Sequence, residues 1–131
     1  MATVMVVDDN PTMVEMLSMA LNIFGHNVLT AYSGEEALQR IPSEGPDLVF
    51  LDLTMPGIDG YETLRCLRAM PAGGEVPVFV ITAAAEADLE ERVLLAGASG
   101  LLRKPIQMET LADVVEGSAR VLRMEQQRPA A

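Results

Sequence analysis

Five short apolar runs, each closed by a polar residue or a turn and each followed by a stretch with helical spacing, dictate what this chain can fold into. The runs are Thr3 to Val7, Val28 to Ala31, Leu48 to Asp52, Pro77 to Ile81 and Gly100 to Arg103. Runs of four to eight apolar residues without polar alternation read as strands buried on both faces. Strands alternating with helices of about ten residues imply a parallel sheet covered on both faces through right-handed crossovers. The expected class is therefore α/β, a three-layer sandwich of five strands and five helices. At 131 residues the chain is one domain, able to bury a single core.

The helices carry their own punctuation. Asn10-Pro11 caps and opens the first, whose stripe Met13, Met16, Leu17, Ala20, Leu21 and Phe24 is expected to face the core before Gly25 ends it. Ser33-Gly34-Glu35-Glu36 has the capping-box pattern and opens a short second helix that runs to Ile41, with a turn-rich break over Pro42 to Pro46. The third helix is expected over Gly60 to Met70 with Tyr61, Leu64 and Leu67 inward, and the fourth over 86–96 on Leu89 and Val93. The fifth, about 108–123, should bury Leu111, Val114, Val115 and Leu122 and carry Arg120 and Arg123 where the helix dipole favours cations. Residues 124–131 have too little apolar content to pack and are expected to form a flexible tail or the start of a linker.

Charge narrows the function. Nine Lys and Arg against nineteen Asp and Glu give a net charge of −10, with no run of basic residues, which argues against direct binding of nucleic acid or anionic lipid. No apolar run approaches the length of a membrane span, the start lacks a basic n-region, and the single Cys66 cannot form an intrachain disulfide; a cytoplasmic location is expected. Cys66 reads as a half-buried small hydrophobe, and His26, the only histidine, as a turn residue rather than a phosphate carrier.

In a parallel sheet the carboxyl ends of all strands lie on one edge, so Asp8 and Asp9, Asp52, Thr82 and Lys104 should converge there. Like charges about 4 Å apart repel by roughly 4 kcal/mol at an effective dielectric of 20, so three carboxylates together must take up protons or a cation. Hard oxygen ligands that leave room for water and phosphate suit Mg²⁺ or Mn²⁺. Lys104 adds a point charge and Thr82 a hydroxyl donor, the equipment for holding phosphoryl oxygens while Asp52 attacks phosphorus.

Asp8-Asp9, Asp52 with Met55-Pro56-Gly57, Thr82-Ala83 and Lys104-Pro105, in that order and spacing, resemble the receiver domain of bacterial response regulators over residues 3 to about 123. The resemblance implies a flavodoxin-like, doubly wound sheet of strand order 2-1-3-4-5, with a receiver domain spanning 1–123. It implies that Asp52 accepts a phosphoryl group from the phosphohistidine of a sensor histidine kinase or phosphotransfer protein. Asp9, Asp52 and the Thr54 backbone carbonyl would hold Mg²⁺, with Asp8 acting through water, and Thr82 and Lys104 would contact the phosphoryl group. Ala83, being small, would leave the phosphate's approach open. The resemblance further implies a cis Lys104–Pro105 bond. It also implies a monomer or phosphorylation-dependent dimer whose fourth helix, fifth strand and fifth helix bind a downstream output domain or partner protein.

Two positions depart from the family pattern. Leu101 stands where receivers usually carry Tyr, Phe or His three residues before the Lys, and all five aromatics precede the fourth helix. A signal would then come from Thr82 and the loop Ala83 to Ala87 rather than from ring burial at position 101. Thr54 and Ala84 occupy the positions that tune hydrolysis and cannot orient water as an amide or carboxylate would, so slow self-hydrolysis is expected. An interaction module without phosphorylation would not need the full Asp, Thr and Lys set. A metal-dependent phosphatase would place an acid where Thr54 stands, and a flavin carrier would not place Asp8-Asp9 in its phosphate loop.

Overall fold

A computed structural model describes the backbone of residues 2–71 and 74–126, with side chains through 117. The elements alternate as expected: β1 (Thr3–Val7), α1 (Pro11–Ile23), β2 (Asn27–Ala31), α2 (Gly34–Glu44), β3 (Leu48–Asp52), α3 (Gly60–Ala69), β4 (Val78–Thr82), α4 (Leu89–Leu95), β5 (Gly100–Arg103) and α5 (Met108–Gln126). The five strands are parallel, in the order β2-β1-β3-β4-β5.

Successive side chains of a strand point to opposite faces, and the core divides accordingly. Met5, Val7, Val49, Leu51, Val78 and Val80 meet α2, α3 and α4 through Ile41, Leu64, Leu67, Leu89 and Val93. Val4, Val6, Leu48, Phe50 and Ile81 meet α1 and α5 through Val14, Leu17, Leu21, Leu111 and Val115. All five residues of β3 are buried, so the strand that ends in Asp52 is walled in on both faces. No helix among the described residues is long and apolar enough to cross a membrane.

Several local expectations need correction. On α1 the buried face is Val14, Leu17, Ala20 and Leu21, while Met16 is 61% exposed and Phe24 is also exposed. Met13 packs half-buried against this core as expected, and Val14, which the spacing did not include, is fully buried beside it. The second helix does not stop at Ile41 but runs through Pro42 to Glu44. A proline forfeits one helical hydrogen bond, and other bonds hold this last turn. Gly45 N–H donates to the Ile41 carbonyl at 2.9 Å, and Arg40 bonds both Glu44 and the Thr30 carbonyl of β2. The capping box is offset: Ser33 Oγ accepts from Glu36 N–H, but the Glu36 carboxylate reaches the amide of Tyr32. The fourth helix begins at Leu89 rather than at 86, because residues 85–88 are exposed and offer it no buried anchor.

Asn10 caps α1 as expected, its side chain accepting from the amides of Thr12 and Met13. His26 is buried, and its Nδ1 accepts from the Ala2 amide at 3.1 Å, fastening the start of β1 to the α1–β2 turn. Tyr61 is half-buried and Leu64 and Leu67 are fully buried, as are Leu111 and Val115 of α5. The α5 backbone continues to Gln126, past the expected end at 123. The side chains of Arg120, Leu122 and Arg123 lie outside the described residues, as does the tail from 127 on.

The start of α3 abuts the end of β3. Gly60 N–H donates to the Leu53 carbonyl at 2.9 Å, and a Cβ on Gly60 would lie 2.6 Å from Leu53 Cα and 2.7 Å from the Asp52 carbonyl oxygen. Backbone cannot yield as a flexible side chain would, so Gly60→Ala is expected to lower unfolding free energy by about 1–3 kcal/mol. Urea denaturation measures this, and an unchanged midpoint would show that the junction has slack.

Candidate functional site

The loop after each of β1, β3, β4 and β5 opens on the same edge of the sheet, and Asp8, Asp9, Asp52 and Lys104 meet there. Asp8 is buried and anchored: its amide donates to the Ala31 carbonyl, and its Oδ1 accepts from Asn10 N–H at 3.0 Å. Asp52 is buried at the end of β3, whereas Asp9 faces solvent. The carboxylate oxygens of Asp8, Asp9 and Asp52 lie within 4.8 Å of one another. Lys104 reaches in from the end of β5 and places Nζ 3.3 Å from Asp8 Oδ2 and 3.6 Å from Asp52 Oδ1. Its backbone is held by a bond from Lys104 N–H to the Thr82 carbonyl at 2.8 Å, and the Lys104–Pro105 peptide is cis, as expected.

These surroundings push the Asp52 pKa up to about 6. Burial is the largest cause and the neighbouring Asp8 carboxylate the next; Lys104 and the Thr54 amide oppose them without prevailing. Thr54 is exposed on the loop beyond Asp52, its amide 3.5 Å from Asp52 Oδ1. Thr82 is buried, and its Oγ1 accepts from the Ala84 amide at 3.1 Å. Ala83 is exposed beside it and presents only a methyl group. Ala84 is half-buried at the wall of a recess of about 240 Å³ that also touches Thr54, Tyr61, Glu86 and Arg92, with the Arg92 guanidinium 5.1 Å from the centre of the Tyr61 ring. Leu101 is half-buried and packs against the core beneath α4, away from the carboxylates.

Three residues that shape the site were not singled out from the sequence. Glu35 Oε1 accepts the Ile58 amide at 2.8 Å and so ties the loop after Asp52 to α2; that amide holds the Glu35 carboxyl below its ordinary range. The tie needs Gly57, whose φ is +79° and whose Cβ, if present, would stand 2.6 Å from Glu35 Oε1. Nothing in local spacing signals a bond between residues 23 positions apart. Asp59 caps α3 through the Glu62 amide at 2.9 Å, and here the sequence does carry a signal, an Asp followed three residues later by Glu. Arg103, read only as the end of the fifth strand, donates from Nη1 to the Ala84 carbonyl at 2.6 Å.

A profile of the response regulator receiver domain matches residues 4–116. The response regulator MprA of Mycobacterium ulcerans is 38% identical over 124 residues, covering 93% of this chain and 52% of that protein. The signal transduction histidine-protein kinase BarA of Escherichia coli is 34% identical over 113 residues, which cover 86% of this chain but 12% of BarA. The chain thus spans about half the length of the first and a small part of the second. Among solved structures, the Vibrio cholerae chemotaxis protein CheY4 superposes with a TM-score of 0.84 at 30% identity, covering 90% of this chain and 98% of that one.

The raised Asp52 pKa has a consequence for stability. The folded chain holds this proton more tightly than the unfolded chain does, so without a divalent ion stability falls as pH rises from the ordinary carboxylate range through about 6. Asp52→Asn removes that loss. In chelator at about pH 7.5 the variant should melt about 3 °C or more above wild type, and the gap should close toward about pH 4. Equal melting temperatures at the higher pH would refute the assigned burial and repulsion.

Proposed function

Because this chain belongs to the response regulator receiver family, we propose that it is a phosphorylation-dependent switch in two-component signalling, with Asp52 as the phosphoacceptor. The observation that carries the reading is the position of Lys104 Nζ between Asp8 and Asp52 at the edge where the three carboxylates crowd. One ammonium cannot balance three carboxylates, and the donor set, hard oxygens with the exposed Asp9 on the solvent side, fits Mg²⁺ or Mn²⁺. Asp9, Asp52 and the Thr54 carbonyl would hold the ion, with Asp8 acting through water. The ion would supply charge neutralisation for phosphoryl transfer.

The chain's own residues do the rest. Ionised Asp52 presents an oxygen to the phosphorus of a kinase or phosphotransfer phosphohistidine; the P–O bond forms as the P–N bond breaks, and the electron pair leaves on the imidazole nitrogen. Lys104 and the Thr82 hydroxyl hold the phosphoryl oxygens, and exposed Ala83 leaves the approach open. Thr82 carries the change to the loop of residues 83–88 and to α4, where Leu94 and Leu95 lie exposed on a surface suited to an output domain or partner. Thr54 and Ala84 hold no group that orients water, which supports a slow return to the unphosphorylated state.

Two measurements test this. With Mg²⁺ and a small acyl phosphate, wild type should gain one acid-stable, base-labile phosphate and Asp52→Asn none; label retained in the variant at the wild-type level would move the chemistry elsewhere. In an Mg²⁺ titration, Asp9→Ala should bind the ion at least about tenfold more weakly, the loss expected on removing one charged oxygen ligand. Equal affinities would remove Asp9 from the metal site.

A further inference from the structure

Arg103, two residues beyond Leu101 on β5, hydrogen-bonds the loop that follows Thr82. In the register of β4 and β5, Val80 lies beside Leu101 and Thr82 beside Arg103, so positions 101 and 103 project from the same face of the edge strand. Leu101 packs down against the core. Arg103, two residues nearer the functional edge, is exposed and reaches across to the Ala84 carbonyl at 2.6 Å, a charge-assisted hydrogen bond. The amide of the same Ala84 donates to Thr82 Oγ1 at 3.1 Å. Both backbone groups of one loop residue are thus engaged, one by the hydroxyl assigned to the phosphoryl group and the other by a guanidinium on the neighbouring strand. From Ala83 to Asp88 the loop places no fully buried side chain, and the first is Leu89. Packing alone therefore holds this stretch weakly.

We infer that Arg103 is a positioning residue that clamps the β4–α4 loop through the Ala84 carbonyl in its resting place. The inference rests on the proposed role of Thr82. When Thr82 turns toward a phosphoryl group, its hydroxyl can no longer hold the Ala84 amide in the same geometry, and the loop must move against the Arg103 bond. The clamp ties the loop to β5 and so opposes switching until phosphate engages Thr82. The aliphatic Leu101 has no polar atom with which to make such a bond.

Arg103→Met keeps the stem and removes the donors, while Arg103→Lys keeps the charge. In the unphosphorylated chain, amide hydrogen exchange at Ala84 to Ala87 should be about tenfold or more faster in Arg103→Met, with Val80 and Ile81 of β4 unchanged and the Lys variant restored part of the way. Phosphorylation by a small acyl phosphate at saturating Mg²⁺ should be several-fold faster in Arg103→Met. Loop exchange equal to wild type, or acceleration of Val80 and Ile81 to the same degree, overturns the clamp. The exchange measurement involves no phosphate, so its outcome stands apart from the assignment of Asp52, which fails only if Asp52→Asn still takes up the label.

Discussion

Asp8 and Asp52 extend from strands that are hydrogen-bonded neighbours in the middle of the sheet, so their carboxylates cannot draw apart to relieve their repulsion. The strands are fixed by burial on both faces, and the repulsion is therefore built in before any ligand arrives. Lys104 offsets part of it from a third strand, and below about pH 6 a proton on Asp52 offsets more. The rest of the architecture serves this arrangement. Gly60 brings the start of α3 against the Asp52 carbonyl, Asn10 fixes Asp8, and Glu35 holds the loop beyond Asp52 through Ile58.

Around that fixed cluster the two flanking loops are held by different means. The loop after β3 is tied through its Ile58 amide to the Glu35 carboxylate of α2, a helix packed into the core, and a glycine is required where the carboxylate passes. The loop after β4 is made of small, mostly exposed residues and is held by single bonds from Thr82 and Arg103. One side of the site is thus rigid and the other is free to rearrange at modest cost, a division suited to a device that must keep its chemistry in place while altering its outer surface.

Much of this was legible in the sequence because it depends on period and order. Apolar runs without alternation mark doubly buried strands, and their regular alternation with helices marks a parallel sheet, which fixes where Asp8, Asp52, Thr82 and Lys104 must gather. Helix ends were legible where a short polar side chain caps its own backbone, as at Asn10. What escaped depends on tertiary contacts. Pro42 reads as a helix breaker, yet Arg40 and Gly45 hold its turn together. Met16 looks like core filler, yet it is exposed, and Val14 is buried beside the half-buried Met13. The start of α4 could not be read from residues 86–88, which favour helix locally but have nothing to pack against. Glu35 and Arg103 act over separations of 23 and 19 positions, where no spacing rule operates.

The strand order has a kinetic meaning as well. Every pairing in the sheet joins segments separated by a whole crossover: Val4 lies against Leu48, Val49 against Val78, and Phe79 against Gly100. None can zip from a hairpin turn, so each demands that a long loop close before its contacts reward it. The longest of these closures is that of β1 on β3, the pairing that brings Asp8 to Asp52. Entropy and charge therefore oppose the same step, and this pairing forms against both the longest chain closure in the sheet and the mutual repulsion of Asp8 and Asp52. The apolar flanks of β1 and β3, buried completely on either side, are what carry the chain over it.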